Sequence, residues 1–203
     1  MSSIPSSFDP AQPVLHHVTC PGASQTDAAT HRMAYWAWGD PTNERILVCV
    51  HGLSRQGRDF DTLARSLSSH YYVVCPDVVG RGESDWLADP KGYQVFGYVA
   101  DMVALLQHLR AQRQASAPLD IDWVGTSMGG AIGMVCAAGP LQGRIQRLVL
   151  NDIGPKLADA AIQRIRSYAG NPPAFDTVSE LEAYFRTVYK PYGFLTDAQW
   201  RRL

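Results

Sequence analysis

The sequence predicts an α/β fold: a mostly parallel sheet with helices on both faces, followed by the start of a helical lid at the C-terminus. Three observations carry this reading. Short, largely apolar runs of strand length recur at residues 45–50, 71–75, 119–124 and 147–150, as strands covered on both faces should. Between them lie segments with apolar residues at helical spacing, and such alternation implies right-handed crossovers and a parallel sheet. Beyond residue 155 only helical patterns remain, separated by Asn171-Pro172-Pro173 and Pro191-Tyr192-Gly193.

The elements follow in order. Residues 1–13 are rich in Ser and Pro, without a basic start or an apolar stretch, and read as a flexible tail, not a signal peptide. Residues 14–20 and 31–38 alternate like half-buried strands, with a turn expected over 27–30. The run 45–50 ends in His51-Gly52, and a helix is expected over 57–69. There Phe60, Leu63, Ala64 and Leu67 take one face, while Arg58, Asp61 and Arg65 take the other. The strand at 71–75 closes in Pro76-Asp77 and the loop Gly80-Arg81-Gly82. Met102, Leu105, Leu106 and Leu109 mark a helix over 95–114, and a further helix is expected over 127–138.

The lid helices are expected over 156–169, over 178–189 and from 196, where Thr196 suits an N-cap and Asp197 a first turn. The last of them is shorter than an ordinary helix of about 11 residues, so the chain is expected to be truncated. The organisation expected is a tail (1–13), a partial α/β core (14–154) and an incomplete lid region (155–203).

Composition narrows the function. A chain of 203 residues with 46% hydrophobic content can bury one sizeable core. A formal net charge of -1, with no basic stripe, gives no electrostatic case for nucleic acid or an anionic membrane surface. No apolar stretch reaches about 18 residues, so no membrane span is expected. Cys20, Cys49, Cys75 and Cys136 are far apart and fit buried apolar positions in a reducing compartment. A soluble, cytoplasmic protein with a small-molecule substrate is expected; the sequence leaves its oligomeric state open.

The chemistry centres on Gly125-Thr126-Ser127-Met128-Gly129, directly after the strand run Ile121-Asp122-Trp123-Val124. This is the G-x-S-x-G pattern of a strand that turns sharply into a helix with a serine at its apex. Gly125 and Gly129 lack a Cβ, so strand and helix can approach closely around the bend. The pattern names Ser127 Oγ as a nucleophile, an atom that needs a base to take its proton. A serine merely capping the helix is the alternative. No histidine follows Ser127 in the sequence. The glycines of the 80–82 loop lack the spacing of a phosphate loop or dinucleotide motif. Asp77, Arg81, Ser84 and Asp85 read instead as a hydrogen-bonded turn network beside the site.

In this order the motifs resemble the α/β-hydrolase fold family, in its serine-nucleophile branch. They are His51-Gly52 after the third strand, Asp77-x-x-Gly80-x-Gly82-x-Ser84 after the fourth, the Ser127 turn, and Asn151-Asp152 after the sixth. The resemblance covers nearly the whole chain from Val14. It implies that Ser127 is the nucleophile and that the backbone N–H groups of Leu53 and Met128 form the oxyanion hole. His51 would shape the oxyanion loop and not take the serine proton. The family's base follows an eighth strand and its usual acid a seventh, both expected beyond residue 203. Asp152 matches an acid position used by some members, but a structural aspartate bonding turn amides before Gly154-Pro155 is preferred. Arg55, two residues past Leu53, is a candidate partner for a substrate carboxylate.

What the resemblance implies is hydrolysis of a small carboxylic ester or related acyl substrate through an acyl-enzyme. This chain alone would lack the base. Two alternatives stay open: a carbon–carbon bond hydrolase of an acidic ring-cleavage product, and a non-catalytic relative that binds a small molecule. No metal or organic cofactor is implied, because no ligand cluster is visible in the sequence and the covalent mechanism needs none.

Overall fold

The computed structural model describes residues 9–22, 30–169 and 173–200. Two compact units divide it, Met1–Pro155 and Lys156–Leu203. The first holds six strands: β1 (Val14–Pro21), β2 (Thr30–Trp38), β3 (Ile46–Val50), β4 (Tyr72–Pro76), β5 (Ile121–Thr126) and β6 (Ile145–Asn151). They lie side by side in the order β1-β2-β4-β3-β5-β6. The β1–β2 and β2–β4 pairs are antiparallel, while β4–β3, β3–β5 and β5–β6 are parallel.

Side-chain alternation explains why β3 and β4 read as continuous apolar runs: every residue of both is buried. On one face Ile46, Val48, Val50, Tyr72 and Val74 pack with Met102, Leu105 and Leu109 of α2 (Val95–Gln112) and with Ile132 of α3 (Met128–Ala138). On the other, Leu47, Cys49, Val73 and Cys75 pack with Phe60 and with Ala64 of α1 (Asp61–Leu67). A strand with helices on both faces has no wet side, so its period-two pattern disappears. β6 ends the described sheet and alternates between half-buried and exposed residues, with Val149 52% exposed.

Three local features differ from expectation. The helix expected over 57–69 opens as a single 3-10 turn, Gly57–Phe60, before α1 begins. The Gly57 N–H is drawn away to the Asp77 carboxylate at 2.6 Å. The end of the expected tail is tied down: the Gly39 N–H donates to the Pro10 carbonyl, and Asp9 accepts from the Ala11 N–H. Residues 1–8 and most of the expected 27–30 turn lie outside the described residues.

The second unit contains α4 (Asp159–Ala169), α5 (Val178–Val188) and the short α6 (Asp197–Trp200). Thr177 and Glu180 form a reciprocal capping box on α5. Thr196 caps α6 as expected: its hydroxyl accepts from the Gln199 N–H while Gln199 Oε1 accepts from the Thr196 N–H. Arg186 joins α5 to α6 by pairing with both Glu182 and Asp197.

Parallel register then places the chemistry. Val50 lies opposite Gly125, and Thr126 opposite Asn151, so the loops after β3, β5 and β6 leave the sheet at one edge. The close approach at the elbow needs glycine at position 129, where a Cβ would fall on the Val50 carbonyl oxygen. Gly129→Ala should therefore destabilise the protein by about 2 kcal/mol or more. Gly143→Ala, at φ +72 with open space around it, should lose only about 1 kcal/mol. Chemical denaturation of the two variants checks the contrast.

Candidate active site

Ser127 sits between β5 and α3 with φ 49 and ψ −112, in a region that residues with a Cβ rarely adopt. Three backbone bonds hold it there. Its N–H donates to the Asn151 carbonyl at 2.9 Å, and its carbonyl accepts from the Gly130 and Ala131 N–H groups. It stands at the N-cap of α3, where a serine hydroxyl ordinarily accepts from the first turn, yet its side chain makes no such bond. The capping alternative is thereby disfavoured. Trp123 Nε1 donates to the Gly129 carbonyl at 3.1 Å and braces the helix against its own strand. Asn151 Nδ2 reaches Thr126 Oγ1 and ties the end of β6 to the bend.

The loop after β3 comes close to the apex: a Cβ on Gly52 would lie 3.8 Å from Ser127 Cβ. His51 is fully buried beneath it. Its Nε2 accepts from the Val78 N–H at 2.9 Å, so the proton resides on Nδ1, which donates to the Gly52 carbonyl at 2.7 Å. Both ring nitrogens are thus used to join the loops after β3 and β4. Burial lowers the His51 pKa, which keeps the ring neutral. This is the loop-shaping arrangement expected of it, not that of a base aimed at Ser127.

Asp77, also fully buried, organises the loop after β4. Its carboxylate accepts from the N–H groups of Gly57 and Glu83 and from Trp36 Nε1. Gly82 adopts φ +51, and a Cβ there would strike that carboxylate. Ser84 Oγ donates to the Asp77 carbonyl and accepts from the Ala34 N–H, and Asp85 accepts from the Arg32 N–H. The expected turn network exists in these bonds.

Arg81 rises from the same loop. Its Nε donates to the Leu53 carbonyl at 2.9 Å and its Nη1 to the Val79 carbonyl at 2.8 Å, while Nη2 lies 3.8 Å from Met128 Sδ. Spacing located this loop from the sequence, but nothing in one dimension signals that a single guanidinium spans Leu53 and Met128.

Two other expectations look different in three dimensions. Arg55 grips Asp59 with Nε at 2.7 Å and Nη2 at 2.6 Å, a bidentate pair that engages the edge a substrate carboxylate would use. Asp152 is exposed at the end of β6 with φ 56, and no turn amide among the described residues donates to its carboxylate. The hydrogen-bonded structural role preferred for it from sequence is therefore not seen. Aspartate tolerates this left-handed conformation better than most residues.

Among the described residues the structure also brings together a ligand-type cluster that the sequence concealed. Cys20, His31 and Asp101 are buried together at the β1 edge of the sheet, with ligand atoms all within 4.8 Å of one another. Sequence spacing hid the set because β1, β2 and α2 each contribute one member. His31 Nε2 lies 3.1 Å from Asp101 Oδ2, and this neighbour raises the His31 pKa. Burial raises the Asp101 carboxyl and the Cys20 thiol.

A family model for the alpha/beta hydrolase fold matches residues 45–196. The chain belongs to the α/β-hydrolase fold family. Among relatives of this α/β hydrolase, a 3-hydroxybutyrate-oligomer hydrolase of Cupriavidus necator is 50% identical over 193 residues, 95% of this chain and 62% of that protein. A 2-hydroxy-6-oxo-2,4-heptadienoate hydrolase of Pseudomonas putida is 30% identical over 151 residues, 70% of this chain and 50% of that protein. A solved α/β hydrolase from Novosphingobium aromaticivorans has a TM-score of 0.75 at 31% identity, covering 93% of this chain and 62% of the other. The chain thus spans between half and two-thirds of the length of these three relatives.

The buried neutral imidazole has a consequence for pH. His51 titrates at 6.5 when unfolded and lower when folded, so its contribution is intact above 6.5 and is lost as pH falls towards the depressed value. The stability of the parent protein should fall more steeply between pH 7 and 5 than that of His51→Gln. Urea midpoints across that range measure the difference.

Proposed function

We propose that the protein is a serine-nucleophile hydrolase of carboxylic esters, with Ser127 as nucleophile and the Leu53 and Met128 N–H groups as oxyanion donors. The observation that carries this reading is the bend at Ser127, a left-handed conformation that leaves the hydroxyl uncommitted to helix capping. In the proposed reaction Ser127 Oγ attacks the ester carbonyl as a base takes its proton. The carbonyl oxygen becomes an oxyanion that accepts from both backbone donors. Collapse of the tetrahedral intermediate expels the alcohol, which takes up the proton, and leaves an acyl-serine. Water then attacks the acyl carbon, the base accepts its proton, and the acid is released as Ser127 regains its hydrogen.

The base is assigned to sequence outside residues 1–203. All six histidines precede Ser127. His51 has both nitrogens engaged and His31 pairs with Asp101. His16 and His108 flank the Tyr35 ring, His17 lies within β1, and His70 precedes β4 at the sheet edge opposite the Ser127 bend. Asp152 is retained as a candidate acid on its position at the end of β6, and the helices of residues 156–203 as part of a lid. The reduced, buried cysteines are in keeping with a cytoplasmic location.

For the substrate, the Cupriavidus relative supports an ester of a short hydroxyacid oligomer. Such a molecule carries a terminal carboxylate, a group that an arginine such as Arg55 can pair with. Arg55 would serve it with Nε and Nη2 already engaged by Asp59. The Pseudomonas relative supports a second reading, carbon–carbon cleavage of an acidic dienone.

In the full-length protein, Ser127→Ala should reduce hydrolysis of a 3-hydroxybutyrate dimer by about a thousandfold or more while leaving the melting temperature near that of the parent. A fluorophosphonate probe should label the parent at Ser127. Absence of label in folded protein would favour a binding role, and turnover of a ring-cleavage dienone without ester hydrolysis would favour the second reading.

A further inference from the structure

The geometry points to Arg81 as a positioning residue for the oxyanion hole, an inference that rests on the serine-hydrolase reading above. Leu53 lies in the loop after β3 and Met128 opens α3, yet their N–H groups must converge on one oxygen. Arg81 connects the two. The edge of its guanidinium formed by Nε and Nη2 faces the Leu53 carbonyl at 2.9 Å and Met128 Sδ at 3.8 Å. That is the edge with which Arg55 grips Asp59. Because the guanidinium is planar and rigid, it sets the Leu53 carbonyl at a fixed place relative to the Met128 side chain at the start of α3.

The guanidinium is itself fixed on its far side. Nη1 donates to the Val79 carbonyl at 2.8 Å and to the Tyr98 hydroxyl at 3.2 Å, and Tyr98 is buried. The Tyr98 and Tyr93 rings lie 5.3 and 5.8 Å from the guanidinium carbon, within cation–π range. In the backbone, Arg81 stands between Gly80 at φ +81 and Gly82 at φ +51, a turn closed by the Asp77 carboxylate.

Charge distinguishes the two arginines. Arg55 is neutralised by Asp59, whereas every acceptor of Arg81 is uncharged and no carboxylate among the described residues pairs with it. Its positive field adds to that of the two N–H dipoles where negative charge develops. Both effects grow as the carbonyl oxygen becomes an oxyanion, so they act on the transition state more than on substrate binding.

The test compares Arg81→Met and Arg81→Lys with the full-length parent, using p-nitrophenyl butyrate, fluorophosphonate labelling of Ser127 and thermal melting. Arg81→Met should lower kcat and the labelling rate by about 10- to 100-fold while KM stays within about threefold. Arg81→Lys keeps the charge but not the fork, and should fall between Arg81→Met and the parent. Parental kcat and labelling in Arg81→Met would overturn the inference, as would a rise in KM alone, which would mark a direct substrate contact. Should Arg81→Met fail to fold, Arg81→Lys decides: a reduced kcat with near-parental melting supports the role, and a parental kcat overturns it. An unlabelled parent would overturn the serine reading and this inference together; a labelled parent with an unaffected Arg81→Met overturns this inference alone.

Discussion

A β5 residue cannot continue as a strand and also begin α3 without one backbone position absorbing the reversal, and that position is Ser127 at φ 49. A residue with a Cβ held in the left-handed region is strained by roughly 1–3 kcal/mol. The strain persists because the surroundings leave no other conformation. The Asn151 carbonyl takes the Ser127 N–H, α3 takes its carbonyl, and Gly129 lies so close to Val50 that only glycine fits. Three parallel strands therefore fix one serine.

The loops around the bend owe their shape to buried polar groups. His51 and Asp77 are fully buried, and each accepts or donates at every position that would otherwise lack water. His51 links the loop after β3 to the amide of Val78, and Asp77 links the loop after β4 to Gly57. An unpaired buried donor is costly, so these bonds make the loop conformations all-or-none. Arg81 lies on that frame and reaches across it to Leu53 and Met128.

The sheet was legible in the sequence because β3 and β4 are covered on both faces and announce themselves as apolar runs. The nucleophile candidate was legible because a sharp strand-to-helix bend demands glycines at fixed offsets from its apex. The loop-shaping role of His51 came from the family resemblance, and the turn network of the 77–85 loop from the spacing of its glycines; the hydrogen bonds agree with both. What lay hidden depends on side chains that meet only in space. Asp59 sits four residues after Arg55, but Arg55 precedes the 3-10 turn, so helical spacing does not account for the pair. The Arg81 fork and the Cys20, His31 and Asp101 cluster join residues far apart in the chain. Asp152 was misjudged in another way: its backbone makes the turn, while its carboxylate stays unbonded among the described residues.

The family fixes the fold, and the proposed site puts a reacting carbonyl against Ser127 and the amides of Leu53 and Met128. The direct measurement is a crystal structure of the full-length protein after reaction with a fluorophosphonate. The account predicts a covalent bond from Ser127 Oγ to phosphorus, with the phosphonyl oxygen about 2.7–3.1 Å from both the Leu53 and Met128 nitrogens. An adduct on another residue, or a phosphonyl oxygen turned away from those two amides, would contradict it.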